Sequence, residues 1–134
     1  MAKLTTIEGI GEKFAAQLKE AGAGTVEKLL EVGSTRAGRK KLAAASGVDP
    51  KRILRFVNHA DLMRIKGVSS QMSELLEAAG CDTVAALARR NAANLHKKMG
   101  ETNEQKKLVR KVPTARQVQS WIDQANELPR VVQY

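Results

Sequence analysis

Two glycines separated by one apolar residue, Gly9-Ile10-Gly11, stand directly before a segment with helical periodicity. A glycine pair lets a turn adopt backbone angles that are closed to other residues and lets a ligand approach the main chain closely. The first N–H groups of the following helix have no partner within the helix and carry a partial positive charge. Gly9, Ile10, Gly11 and Lys13 are therefore candidates for binding a phosphate group, with Ile10 also a candidate structural plug. The alternative is a turn that serves packing alone, since glycine is needed in either case.

A weaker copy of this pattern occurs at residues 65–76, as IKGVSSQMSELL. Gly67 and the apolar residue after it are retained, whereas Ser69 replaces the second glycine and glutamine replaces the lysine. Lys66 supplies a cation just ahead of the turn, and the Ser69 hydroxyl can donate a hydrogen bond to an anion. Lys66, Gly67 and Ser69 are therefore further candidates, although the pattern favours phosphate binding by the first copy.

A third group of candidates is cationic. Arg36, Arg39 and Lys40 crowd the first turns of a predicted helix, where positive charges oppose the helix dipole at ~0.3–1 kcal/mol each. A bound anion would offset that cost, and a solvated face with unoptimised electrostatics is the alternative explanation. Further basic residues recur at 51, 52 and 55 and at 106–111, and for the latter a solvated surface is favoured. No aromatic residues interleave with these clusters, which argues against base stacking on single strands.

The charge balance indicates a polyanionic partner. The 134 residues include 23 Lys and Arg against 14 Asp and Glu, for a net charge of +9 and a pI near 10.0. Residues 1–58 carry 11 basic and 6 acidic residues, and residues 59–134 carry 12 and 8, so both halves are basic. Nucleic acid, an acidic protein and anionic lipid are the partners that such a balance favours.

Residues that could support catalysis are sparse. His59 and His96 have no Cys or acidic neighbours at metal-ligand spacing, and no nucleotide-binding or nucleophile motif is present. We therefore expect no enzymatic activity, no metal and no cofactor. His59 is expected at a helix surface or interface, and Cys81 in its AGCDT turn is expected as a small filler.

The pattern of apolar residues argues against a membrane partner. No apolar run approaches the roughly 20 residues that a membrane helix needs. The start of the chain, MAKLTTIEGI, lacks the apolar stretch of a signal peptide, and the single cysteine excludes an internal disulfide. A soluble, cytoplasmic protein is the expectation.

Local signals predict helices throughout, and no segment shows sustained period-two alternation. Phe14, Ala15, Leu18 and Ala21 form an apolar stripe that Gly22 ends. Predicted helix N-caps are Thr25, Ser34 or Thr35, Asp49, Thr83, Asn91 and Thr114. The fold class is therefore predicted to be all-α.

The chain also contains an internal repeat. At an offset of 58, residues 2–30 align with 60–88 without a gap and with ten of 29 positions identical. At an offset of 65, FVNHADLMRI resembles WIDQANELPRV and pairs Phe56 with Trp121, both expected in the core. Two domains follow: residues 1–58, with a hairpin and two further helices, and residues 59–134, with the second hairpin, a short insertion, a C-terminal helix and a VVQY tail expected to act as a docking arm.

These residues resemble a known motif. IEGIGEKFAAQLKEAG is similar to the helix–hairpin–helix motif at Ile7, Gly9, Ile10, Gly11, Ala15 and Leu18. TVEKLLEVG resembles the second hairpin that commonly follows in tandem helix–hairpin–helix folds of DNA repair and replication proteins. The whole chain is similar to a family of small, largely uncharacterised helix–hairpin–helix proteins that end in W-I-x-x-A-x-x-L-P-R-V. The resemblance implies a compact fold of two tandem helix–hairpin–helix repeats, in the style of SAM-like helical bundles, and no established activity.

Two functions remain open at this point. The resemblance implies a loop that grips nucleic-acid backbone without reading bases, because phosphates position a protein whereas base edges specify it. The leading hypothesis is a non-enzymatic, sequence-nonspecific nucleic-acid-binding protein that prefers duplex DNA to single strands. The alternative is a protein-interaction adaptor, or a small subunit that docks in a larger assembly through the hairpins and the tail. The oligomeric state stays open.

Overall fold

The computed structural model describes residues 2–134; Met1, at which the predicted first domain begins, lies outside this range. Within it the chain is all-α, as predicted, and its only β pairing is an isolated bridge between Lys3 and Thr25. The elements are a 3-10 turn at Leu4–Thr6, then α1 Glu12–Glu20, α2 Val26–Val32, α3 Arg36–Ser46, α4 Pro50–Leu62, α5 Ser70–Ala78, α6 Val84–Ala88, α7 Ala92–Lys106 and α8 Ala115–Glu127.

Side-chain caps fix the starts of most helices. The Thr35 hydroxyl accepts a hydrogen bond from the Gly38 N–H at 3.0 Å, so Thr35 caps α3, while the Ser34 hydroxyl donates to Glu31 O. The other capping side chains are Thr25 for α2, Asp49 for α4, Ser69 for α5, Thr83 for α6, Asn91 for α7 and Thr114 for α8. α1 is different, because its N-cap residue is Gly11, which has no side chain to cap the helix.

The chain divides into two compact units. The first runs to Asp61 and also includes Arg130–Tyr134, and the second is Leu62–Pro129. The division therefore lies three residues after the predicted boundary, and the tail groups with the first unit instead of the second. Val132 is buried and the Gln133 N–H donates to Ser34 O at 2.7 Å, so the tail packs on its own chain and is not a projecting arm.

In the first unit, α1 packs against the 3-10 turn and α3, and α2 also packs against α3. The rings of Phe14 and Phe56 lie 6.0 Å apart, centroid to centroid. The final turns of α4 are enclosed, and His59 is fully buried, which rules out the surface alternative of the predicted surface or interface position. The buried apolar side chains of this unit include Leu4, Ile7, Ile10, Leu18, Leu29, Leu42, Ile53, Phe56 and Val57.

In the second unit, α8 packs against α6 and α7, and α5 packs against α7. Trp121 is buried in this core, and so is Cys81, which confirms its predicted role as a small filler. The core further contains Ile65, Val68, Leu75, Leu76, Leu87, Leu95, Met99, Val118 and Ile122.

The two hairpin turns have the same local geometry. Gly9 has a φ of +92° and Gly67 one of +97°, angles that L side chains rarely adopt. In each turn the residue after this glycine donates a backbone hydrogen bond of 3.1 Å to the carbonyl three residues earlier. The glycines that end the next helix, Gly22 and Gly80, also match, with φ of +94° and +91°.

An aromatic ring lies beneath each of these turns. A Cβ added at Gly9 would lie 3.3 Å from Phe56 Cε1, and one added at Gly67 would lie 2.8 Å from Trp121 Nε1. Phe56 and Trp121 are both buried, as predicted from their equivalent positions in the repeat. Both turns need glycine for its backbone angle, and at Gly67 the indole also leaves no room for a Cβ, whereas at Gly9 the Phe56 ring leaves a tight space.

The packing beneath Gly67 generates a test of this requirement. Gly67→Ala should lower the free energy of unfolding by about 1–3 kcal/mol, because the alanine would be strained at positive φ and would collide with the indole. Gly100→Ala is the control: Gly100 lies inside α7 with nothing within 4 Å of an added Cβ. It should raise stability by about 0.5–1 kcal/mol. Urea unfolding measures the change in the free energy of unfolding for both variants. Equal changes would contradict the packing of Trp121 beneath Gly67.

Cys81 makes stability depend on pH in the alkaline range. Burial raises the pKa of its thiol from 9.0 to about 11; Asp82 adds to the rise and Arg90 opposes it. Above pH 9 the unfolded chain therefore loses the proton before the folded chain does, and stability falls between pH 9 and 11. Between pH 8 and 11 the free energy of unfolding of the wild type should fall by about 2 kcal/mol more than that of Cys81→Ala, as measured by urea unfolding. Parallel pH profiles would contradict this expectation.

Candidate anion-binding site

The first hairpin exposes its backbone. Gly9 and Gly11 lie at the surface, whereas Ile10 between them is buried, with 3% of its area exposed. Ile10 therefore anchors the turn from below, as predicted. A Cβ added at Gly11 would have nothing within 4 Å, so the start of α1 faces open space.

The first turn of α1 keeps its backbone donors available. Among residues 2–134 no side chain caps this helix. Gly11 is extended, with φ −88° and ψ −175°, and its carbonyl accepts from the Ala15 N–H at 3.0 Å. The N–H groups of the first helical turn point away from the helix and carry its positive dipole end. Lys13, exposed in this same turn, adds a full positive charge.

In the second hairpin, the turn around Gly67, the protein's own side chains already bind several of the backbone groups. Ser69 Oγ accepts a hydrogen bond from the Met72 N–H at 3.3 Å, which uses a donor of the first turn of α5. The Gln124 side chain accepts from the Lys66 N–H at 2.9 Å and donates to the Lys66 carbonyl at 3.2 Å. Lys66, Gly67 and Ser69 are all exposed. The exchange of Gly11 for Ser69 therefore changes which backbone donors a ligand can reach.

Helix α4 brings two guanidinium groups to the first hairpin that the sequence did not connect with it. A Cβ added at Gly9 would lie 3.4 Å from Arg55 Nη1. Arg52 Cζ lies 5.3 Å from the centroid of the Phe14 ring, which belongs to α1. The link is tertiary. The signal that could have revealed it is the spacing of Arg52 and Arg55 from Phe56, which the sequence repeat places in the core at the position equivalent to Trp121.

The cations of α4 form one face. Lys51, Arg52 and Arg55 are exposed. At about 100° of rotation per residue they fall within about 100° of the helix circumference, with Arg55 between the other two. A basic surface therefore extends along α4 from Arg55, which lies beside the first hairpin, to Lys51 in the first turn of the helix.

Two of the predicted cations lie on a different feature. Arg36 and Lys40 line a cleft of about 390 Å³, for which α4 supplies Lys51 and Leu54 and the tail supplies Tyr134. Both α3 and α4 direct their N-terminal turns to this cleft. We refer to it below as the α3–α4 groove.

Arg39 has a structural position instead of the exposed one expected for a phosphate contact. Only 7% of it is exposed, and its Nη1 donates to the Gly33 carbonyl at 2.9 Å. Its Cζ lies 5.9 Å from the centroid of the Tyr134 ring. Arg39 therefore helps to hold the wall of the groove. On α3 the helical spacing that leaves Arg36 and Lys40 exposed directs Arg39 inward.

A family model described as a domain of unknown function (DUF4332) matches residues 8–128. The chain belongs to this family. The match covers both hairpins and α1 to α8, and it ends before the tail that contributes to the α3–α4 groove. No curated protein and no solved structure matches the chain.

Other kinds of site have little support in the part of the chain that the structure describes. Residues 2–134 contain no group of three or more His, Cys, Asp or Glu side chains that could hold a metal ion. Over the same range, none of the helices has the length and apolar character needed to cross a membrane.

Proposed function

We propose that this family member binds the backbone of nucleic acid, preferably duplex DNA, without reading base sequence and without catalysing a reaction. The observation that carries the proposal is the position of Arg52 and Arg55 beside a hairpin whose helix begins uncapped at Gly11. The net charge of +9 supplies the long-range attraction for such a polyanion. Neither a metal nor a cofactor is needed for this binding.

In this proposal the two matched turns belong to two tandem helix–hairpin–helix repeats. The support is their shared glycine angles, their identical hydrogen-bond pattern and the aromatic ring beneath each turn. The repeats differ at the positions that a phosphate would touch and agree at the positions that the fold requires. The duplication therefore separates what the fold needs from what the proposed function needs.

The first hairpin would hold a phosphate by three kinds of contact. The N–H groups that follow Gly11 donate to the phosphate oxygens, and the helix dipole favours the negative charge. Lys13 adds a point charge. Arg52 and Arg55 contribute planar guanidinium groups, which bind phosphate through paired hydrogen bonds. All of these contacts go to the sugar–phosphate backbone, so little sequence preference is expected.

The second hairpin would contribute less. Ser69 already caps α5 and Gln124 already binds the Lys66 backbone, so fewer main-chain donors remain for a ligand. The Lys66 ammonium and the Ser69 hydroxyl can still meet a neighbouring phosphate. The second unit then acts mainly as a scaffold with a minor contact.

A second candidate function is a protein-interaction adaptor. The α3–α4 groove favours it, because Pro50, Leu54 and Tyr134 give that surface an apolar wall that a phosphate backbone does not need. The tail supports this candidate as a part of the groove and not as an arm, since it packs on its own chain.

The proposal is tested by a salt titration of duplex-DNA binding. Log K should fall with log salt by ~0.9 per phosphate contact neutralised. Lys13→Gln combined with Arg52→Gln should therefore reduce the slope by about 1.8. The matched control is Lys97→Gln combined with Lys98→Gln, which removes two exposed charges from α7. It should leave the slope nearly unchanged.

Gly11→Ser tests the backbone contact without any change of charge. The serine should cap α1 as Ser69 caps α5, and affinity for the duplex should fall about two- to fivefold, as the loss of ~0.3–1 kcal/mol implies. A flat salt response between low and physiological ionic strength would contradict nucleic-acid binding. Equal slopes for the two double variants would contradict the site and leave only a net-charge effect.

A further inference from the structure

The α3–α4 groove combines an apolar wall with cations on both sides. Leu54 is half-buried, and together with Pro50 and the Tyr134 ring it forms the apolar part. Arg36 and Lys40, one turn apart on α3, lie on one side, and Lys51 lies on α4. No acidic residue lines the groove within the described residues.

The tyrosine wall is held in place before any ligand arrives. The Tyr134 hydroxyl donates to Asn58 Oδ1 at 2.6 Å, and the Arg39 and Arg130 guanidinium groups each lie 5.9 Å from the ring centroid. The Gln133 N–H donates to Ser34 O at 2.7 Å, which fixes the backbone one residue earlier. Even so, Tyr134 is 51% exposed. A ring that is fixed but exposed offers contact area at little entropic cost on binding.

We propose that the α3–α4 groove binds an acidic peptide segment of a partner protein that inserts one apolar side chain between flanking carboxylates. The apolar side chain would pack against Leu54 and the Tyr134 ring. The carboxylates on either side would meet Arg36 and Lys40 on α3 and Lys51 on α4. This site is separate from the phosphate contacts of the first hairpin and goes beyond the proposed nucleic-acid binding.

The groove fits a peptide better than a nucleic acid. Its volume of about 390 Å³ suits a few side chains and is near the small end of the range for ligand pockets. A phosphate backbone would leave the apolar wall exposed to water. Charge and apolar surface together therefore select a segment that carries both carboxylates and one apolar side chain.

Two fluorescein-labelled ten-residue peptides provide the test. One contains a single phenylalanine flanked by glutamates, and the other has serine in its place with the same charge. Fluorescence anisotropy should show about tenfold tighter binding of the phenylalanine peptide, because its ring is removed from water. Leu54→Ser and Tyr134→Ala should each abolish most of this preference while leaving the duplex-DNA salt slope unchanged. Tyr134 is half exposed, so its variant keeps the test valid if Leu54→Ser unfolds.

Charge is tested separately from the apolar contact. Arg36→Gln combined with Lys40→Gln should lower the affinity for both peptides. The loss should be at least as large as the loss that added salt causes in the wild type. Lys41→Gln, at an exposed position of α3 outside the groove lining, is the control and should change little.

Three results would overturn the inference. The first is equal binding of the two peptides. The second is an intact preference in both Leu54→Ser and Tyr134→Ala. The third is loss of affinity for single- or double-stranded DNA in Tyr134→Ala, which would assign the groove to nucleic acid. A flat DNA salt response with an intact peptide preference would instead contradict the proposed function alone, so the two failures are distinguishable.

Discussion

The packing of one aromatic ring under one glycine governs each unit of this protein. Phe56 lies beneath Gly9, and Trp121 lies beneath Gly67. The ring fixes the left-handed backbone of the turn from below, and the turn in turn fixes where the next helix begins. In the first unit the same contact places α4 against the hairpin, and so it brings Arg55 to the site. The candidate anion site is thus a consequence of core packing.

The two units share one way of packing the turn and differ at the N-cap residue of the helix that follows it. Their glycine angles, hydrogen bonds and buried rings agree, whereas the residue that starts the following helix differs. At Ser69 the protein caps the helix itself, which satisfies a donor and favours stability. At Gly11 no side chain accepts a hydrogen bond from the first N–H groups of α1, and stability is lower as a result. Such a cost is reasonable where a ligand supplies the missing acceptor.

Most of the fold followed from local sequence signals, and much of the site did not. The caps at Thr25, Thr83 and Thr114 and the stops at Gly22 and Gly80 are set by neighbouring residues, so periodicity and turn chemistry were enough to find them. Other positions depend on contacts between segments far apart in the chain. Pattern alone does not specify the inward turn of Arg39, the burial of His59, the approach of Arg55 to Gly9 or the packing of the tail on the first unit.

The most direct test of the account is a titration of the ¹⁵N-labelled protein with a short DNA duplex, followed by ¹H–¹⁵N correlation spectra. The backbone amides of Gly11, Glu12 and Lys13 should show the largest chemical-shift changes, because their N–H groups meet the phosphate directly. The amides of Ser70 and Gln71 in the second hairpin should move much less. Shifts confined to the α3–α4 groove, or equal shifts in the two hairpins, would contradict the assignment of phosphate binding to the uncapped start of α1.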